Sequence, residues 1–205
     1  MSEHYFTDAP PATAAELRPV HVTLAGRDVT LESAGGTFSP GRLDKASAIL
    51  LEEVPDPPAT GDLLDLGCGW GPIALTLALR SPGATVWAVD VTERALDLTR
   101  RNAATLGLDN VRAVRPEEVA ADLTFAALWS NPPIRVGKEA VHDLMRTWLP
   151  RLAPGARAHL VVGKNLGADS LQRWISDELG LPAARVSSSK GFRVLRVQQP
   201  DPRSG

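Results

Sequence analysis

Leu63-Leu64-Asp65-Leu66-Gly67-Cys68-Gly69-Trp70-Gly71-Pro72 reads as a short apolar strand that runs into a glycine-rich turn and then opens a helix at Pro72-Ile73-Ala74-Leu75. Glycines on alternate positions let the backbone bend tightly and leave no Cβ atoms between the turn and a ligand. Pro72 suits the first helical turn, where its missing N–H costs nothing. A strand, turn and helix of this kind place a nucleotide-like ligand at the carboxyl end of the first strand of an open α/β sheet. A dinucleotide fingerprint would be G-x-G-x-x-G, with a pyrophosphate on the helix N-terminus. Here the spacing is G-x-G-x-G, and Asp65 stands before it. A carboxylate at that point repels a pyrophosphate and attracts an ammonium group.

Outward from this turn, strand and helix alternate. Downstream come a strand Thr85–Val89 ending at Asp90, a helix from Thr92 to Leu106 with Gly107 behind it, and a strand Val111–Val114. A strand Leu123–Trp129 follows, running into Ser130-Asn131-Pro132-Pro133-Ile134, then a helix Lys138–Leu149, a strand Ala158–Val162 and a helix Asp169–Leu179. Ala184–Ser187 and Phe192–Val197 form a terminal β-hairpin, which cannot continue a βαβ winding, so at least one late strand is antiparallel. Upstream, residues 1–18 read as an extended, loosely attached lead. Val20–Leu24 and Val29–Glu32 alternate around Gly26 as a hairpin. A helix with Ala46, Ile49, Leu50 and Val54 on one face comes next. The expected organisation is a lead and hairpin over 1–36, a main α/β domain over 37–199 and a tail over 200–205.

The 205 residues suffice for one domain with a full core, and a net charge of −2 excludes a protein that coats nucleic acid by charge alone. The single cysteine, Cys68, excludes an internal disulfide or a multi-cysteine metal site, so no metal is expected. With no signal-like or membrane-length apolar run, the reading is a cytoplasmic protein with no membrane partner.

Asp90 lies about 20 residues beyond the glycine turn, the place of an acid that holds both ribose hydroxyls; the bland alternative is an acid capping the helix at Thr92. Asp65 either positions a cationic ligand or bonds nearby backbone. Glu117, after the third core strand, can accept from an amino group of a ligand or complement a helix dipole, and both readings stay open. Asn131-Pro132-Pro133 is the most informative corner. Two prolines fix φ and restrict the residue before them, holding the Asn131 side chain and the Pro132 carbonyl rigid. Both are acceptors suited to the two hydrogens of a planar –NH2. Such a nitrogen has its lone pair delocalised, and accepting its hydrogens lets it pyramidalise towards an electrophile. The step is then an in-line displacement governed by positioning.

These segments resemble known motifs. Asp65-Leu-Gly-Cys-Gly-Trp-Gly71 resembles motif I of the class I S-adenosylmethionine-dependent methyltransferases, whose cofactor carries an ammonium, a sulfonium and no phosphate. Asn131-Pro132-Pro133-Ile134 resembles motif IV, (D/N/S)-P-P-(aromatic), of amino-methyltransferases, with Ile134 offering an apolar contact where an aromatic would stack. Together with Gly36–Asp44, Asn131–Lys138 and Lys190–Leu195, they are similar to the methyltransferase small domain family, which includes 16S ribosomal RNA guanine-N2 methyltransferases. The resemblance implies a doubly wound, mostly parallel, seven-stranded Rossmann-like sheet and S-adenosylmethionine as cofactor. It assigns Asn131, Pro132, Pro133 and Ile134 to catalysis. It places Phe38, Asp65, Gly67, Cys68, Gly69, Gly71, Asp90, Val91, Glu117 and Asn131 around the cofactor. It further implies ribosomal RNA or the small ribosomal subunit as partner, met by a monomer.

The competing readings are the same chemistry on a protein glutamine amide or a small-molecule amine, a non-enzymatic RNA-binding module, and a dehydrogenase. Covalent catalysis would need a cysteine beside Asn131, and none is there. Arg135, Lys138, Arg185, Lys190, Arg193 and Arg196 are either phosphate contacts at one cleft mouth or solvated surface charges.

Overall fold

The computed structural model describes residues 9–37, 39–134 and 137–202. Among them, β3 (Thr60–Leu66), β4 (Gly83–Val89), β5 (Val111–Val114), β6 (Phe125–Ser130), β7 (Leu152–Gly163), β8 (Ala183–Ser189) and β9 (Phe192–Gln198) form one sheet in the order β5-β4-β3-β6-β7-β9-β8. The pairs from β5 through to β7 are parallel, and only β9 runs against its neighbours. The expected fold class, a mostly parallel seven-stranded sheet with a late antiparallel strand, is what the chain adopts. β1 (Leu17–Leu24) and β2 (Arg27–Ala34) pair as a separate antiparallel hairpin.

The sheet is buried on both faces, which is why its central strands read as near-continuous apolar runs. Leu63, Ala127 and Trp129 face a cluster with helices α1 (Lys45–Glu53), α2 (Pro72–Arg80) and α3 (Glu93–Thr105). Leu64, Leu66 and Leu128 face the opposite cluster, built with α4 (Lys138–Trp148) and α5 (Ala168–Leu179). Trp70, Trp129 and Trp148 are core residues, and Trp174 stacks on His142 with ring centroids 3.7 Å apart. No helix among the described residues is long and apolar enough to cross a membrane.

The N-terminal part is more firmly attached than its composition suggests. Val20, Leu24, Leu31 and Ala34 of the hairpin belong to the same apolar cluster as Leu63 and Leu75. Asn102 of α3 clasps the β2 edge, accepting from Glu32 N at 2.8 Å and donating to Glu32 O at 2.9 Å. Arg94 holds the described end of the lead: its N–H donates to Ala9 O at 3.0 Å, its Nε to Pro10 O at 2.9 Å, and it pairs with Glu16 at 3.1 Å. The expected loose lead is therefore corrected over residues 9–16, because its anchor, Arg94, lies far downstream in α3, where local composition cannot show it.

β7 also starts earlier than the apolar pattern predicts, at Leu152, with a register irregularity against β6 between Phe125 and Ala127. The exposed Pro154 and the half-buried Gly155 interrupt the apolar pattern of its first half.

Candidate active site

β3 and β6 are adjacent and parallel, with Asp65 paired to Trp129, so the glycine turn and the Asn-Pro-Pro corner leave the sheet side by side at one carboxyl edge. The buried Ser130 hydroxyl donates to Leu66 O at 2.6 Å and ties the two strand ends together. β4 delivers Asp90 to the same edge.

The turn is fastened by its own backbone. Gly67 N and Cys68 N both donate to Val89 O, at 2.8 and 3.1 Å, and Gly71 N donates to Cys68 O at 2.9 Å. Gly67, Gly69 and Gly71 have φ of +81°, +57° and +95°, a region side chains disfavour. Their roles differ. A Cβ on Gly67 or Gly69 would meet no atom within 4 Å, so these two form the open lip of the cradle. A Cβ on Gly71 would stand 2.9 Å from Thr99 Oγ1, so this glycine serves the close packing of α2 on α3. Cys68 is buried and its Sγ lies 3.6 Å from Thr99 Oγ1. Burial, then the charges of Asp90 and Asp65, push its thiol well above the ordinary range, which makes it an inert turn residue.

Two acids flank the turn in contrasting states. Asp65 is fully buried; Oδ2 accepts from Ala74 N at 2.9 Å while Oδ1 has no partner. Burial foremost, reinforced by the Asp90 charge and opposed by the Ala74 bond, raises its pKa to about 8. The backbone-bonding alternative thus accounts for one oxygen; the other is buried and without a hydrogen-bond partner. Asp90 is half-buried: Oδ2 accepts from Gly69 N at 3.0 Å, and Oδ1 accepts from Thr92 N and Oγ1, each at 3.1 Å. Thr92 itself caps α3 by accepting from Ala95 N at 3.4 Å. The carboxylate keeps about one acceptor site of its four beyond these bonds. Next to it, Val91 is a large apolar residue exposed at 38 %.

Glu117 lies exposed on the short turn Pro116–Glu118 after β5. The capping of that turn falls to Glu118, whose Oε2 accepts from Arg115 N at 2.6 Å. An open glycine lip, a buried orphan carboxylate oxygen, a second carboxylate and an exposed apolar residue fit a ligand that carries a cation, a sugar and a flat base, and suit a pyrophosphate poorly.

The acceptor side is built from residues that sequence reading missed. Asn131 Nδ2 donates to Asp44 Oδ2 at 2.9 Å and to Ser47 Oγ at 3.1 Å. Asp44 is the N-cap of α1, its Oδ2 also accepting from Ala46 N and Ser47 N. Both bonds fix the amide's orientation, so Oδ1 is the atom left to accept, and no donor among the described residues reaches it. The only signal in the sequence was that Asp44 opens a predicted helix, which says nothing of Asn131. The Pro132 carbonyl differs from expectation. It accepts from Ile134 N at 2.8 Å in a three-residue turn, so one of its two lone pairs is spent inside the corner. Pro133 and Ile134 are partly buried, and Ile134 packs against the α4–α5 cluster. Phe38 and Arg135 lie outside the described residues.

Comparison with known proteins identifies the family. The sequence matches the methyltransferase small domain family over residues 28–196. It is 32% identical to the uncharacterized protein YbxB of Bacillus subtilis over 97% of this chain and 100% of that protein. It is 37% identical to ribosomal RNA small subunit methyltransferase C of Stutzerimonas stutzeri over 92% of this chain, but spans only 57% of that relative's length. Among solved structures, the T. Thermophilus 16S rRNA N2 methyltransferase in complex with AdoMet and guanosine superposes with a TM-score of 0.77 at 23% identity, covering 94% of this chain and 53% of that one, which shows a shared fold. With most of its length inside the family's match, and the family's two motifs standing on neighbouring strands, the chain belongs to the methyltransferase small domain family.

Proposed function

We propose that the chain transfers a methyl group from S-adenosylmethionine to the exocyclic N2 amine of a guanine in small-subunit ribosomal RNA. One observation carries the reading: the Asn131 amide, oriented by Asp44 and Ser47, presents Oδ1 one strand away from the glycine lip. The 37% identity to a protein named for methylation of small-subunit ribosomal RNA supports the substrate class, across the roughly half of that protein which this chain spans.

S-adenosylmethionine, when bound, supplies an electrophilic methyl group on a sulfonium. In this reading Gly67 and Gly69 give it a close, side-chain-free wall, and the free Asp65 Oδ1 faces its ammonium. Asp90 bonds its ribose by giving up a Thr92 contact, with Val91 and Glu117 at the adenine. The backbone of the turn residues Cys68 and Gly71 completes the proposed surround. Asn131 Oδ1 accepts one hydrogen of the substrate amine, and the Pro132 carbonyl accepts the other with its remaining lone pair. That localises the nitrogen lone pair for in-line attack. No strong base is needed, since the nitrogen becomes acidic only after methylation. Ile134 supplies an apolar edge to the base, and Pro133 stiffens the corner.

The test is transfer of labelled methyl groups to small ribosomal subunits, naked 16S rRNA and total protein, followed by nucleoside mass spectrometry. N2-methylguanosine in the RNA is the expected product. Label confined to protein would replace the substrate by a glutamine amide. Absence of cofactor binding by calorimetry would remove the enzymatic reading altogether.

A further inference from the structure

At the same carboxyl edge, on the far side of β6 from the glycine turn, the β8–β9 hairpin and the end of β7 frame an open concavity of about 380 Å³. Lys164, Arg185, Lys190 and Arg193 line it, with Ser188 and Ser189 as hydroxyl donors and no acid in the wall. Lys164 N donates to Gly191 O at 2.8 Å, which closes the rim between β7 and the hairpin.

The four cations are not equivalent. Arg193 is buried and paired with Asp169 of α5, so its charge is largely offset, although its Nε has no hydrogen-bond partner. Lys164, Arg185 and Lys190 are exposed, and no carboxylate among the described residues pairs with them. Arg80, Arg94, Arg100, Arg101, Arg115 and Arg146 all sit in ion pairs. In a chain of net charge −2, three unpaired cations converge on one concavity. Arg196, expected in this group, instead faces His159 across the β7–β9 pair.

We propose that this bowl binds backbone phosphates of the nucleic-acid strand that presents its base to Asn131. The inference rests on RNA being the substrate and adds where the strand is gripped. Strand order fixes the reach. β9 lies two places from β6, so the bowl stands on the order of 10 Å from the Asn131 corner at the usual ~4.8 Å strand spacing. That is within a few nucleotides of the target base. Hydroxyls and cations without an acidic wall suit a phosphodiester and carry no base preference, so the bowl sets register and leaves selection to the Asn131 corner.

The experiment uses a short fluorescein-labelled oligoribonucleotide and the variant Lys164→Gln/Arg185→Gln/Lys190→Asn. Asparagine is chosen because Lys190 has φ +47°, a conformation it tolerates. The variant should bind the oligonucleotide at least tenfold more weakly at low salt. The slope of log K against log salt should flatten by about 2, from roughly 0.7 per lost contact on a single strand. KM for RNA should rise with kcat held, and turnover of free guanosine, which has no phosphate, should not change. Arg185→Lys keeps the charge and should keep the affinity, while a thermal melt checks folding. Unchanged affinity and slope in the triple variant would overturn the bowl, as would a wild type that binds an acidic polypeptide in preference to RNA. A wild type that grips RNA through the bowl yet methylates only protein would leave the bowl an RNA-binding site and remove the substrate reading, and with it the strand that reaches Asn131. A wild type that methylates RNA with the triple variant indistinguishable from it would do the reverse.

Discussion

The two turns that leave the carboxyl edge of the sheet side by side are held by different means. The glycine turn is fixed first by backbone bonds, Gly67 and Cys68 to Val89 and Gly71 to Cys68, with the Asp90, Thr99 and Asn102 side chains added at Gly69 N, Gly69 O and Trp70 O. The Asn131 corner is fixed by side chains from a helix 84 and 87 residues away. A wall made of backbone tolerates changes to its side chains. A wall made of one amide held by one carboxylate and one hydroxyl does not. Cofactor binding and methyl transfer should therefore respond to separate sets of substitutions, and that separation can be attacked directly.

The largest effect is expected at the corner. Asn131→Ala removes the oriented acceptor and leaves the lip untouched, so kcat should fall by about 10²–10³, as for other positioned hydrogen-bonding groups. The cofactor Kd from calorimetry should stay within a fewfold of wild type. Turnover near the wild-type value would end the account of Asn131. Asp90→Ala should do the opposite. It removes a charge-assisted bond, which costs about 1.5–3 kcal/mol, or roughly ten- to a hundredfold in cofactor affinity, and it frees Gly69 N besides. Equal losses in Kd and kcat in both variants would show that the two walls are not independent.

Asp44→Ala is smaller and more diagnostic. With Asp44 gone the Asn131 amide can flip, and kcat should drop about tenfold at unchanged cofactor Kd, alongside roughly 1 kcal/mol of stability from the lost α1 cap. Ser47→Ala leaves the cap in place and should lower kcat in the same direction but less. If Asp44→Ala lowers stability and spares kcat, the carboxylate is a cap and nothing more.

This division also decides what could be read from the sequence. The strand–turn–helix from Leu63 to Leu75, the Thr92 cap and the terminal hairpin are local patterns, and each forms where its pattern puts it. Asn131 was legible because two prolines mark it. Its orientation was not, because Asp44 looks like any helix-opening acid until the fold brings it to within 2.9 Å. The same reason hid the Arg94 anchor of the lead and placed Lys164 in the basic bowl in the position expected of Arg196. Long-range side-chain pairings leave no periodicity, and neither does the distinction between Gly67, whose Cβ position is open, and Gly71, which packs on Thr99.

The last contrast lies between the two acids of the lip, and pH separates them. Asp65 has its pKa raised to about 8 by burial and the neighbouring Asp90 charge. The folded chain therefore holds this proton more tightly than the unfolded one, whose carboxyl titrates near 3.8. That contribution to stability is complete below the unfolded value and is lost as pH rises towards 8. A cation set against the free Oδ1 favours the carboxylate, so binding expels the proton and affinity climbs with pH. Between pH 7 and 8 the wild-type cofactor affinity should rise about fivefold by this linkage, and calorimetry in buffers of different ionisation enthalpy should register proton release. Asp65→Asn should abolish the proton release and gain stability above neutral pH, because the buried charge is gone. A wild type that releases no proton would place the ammonium elsewhere and leave Asp65 as a strut beneath α2.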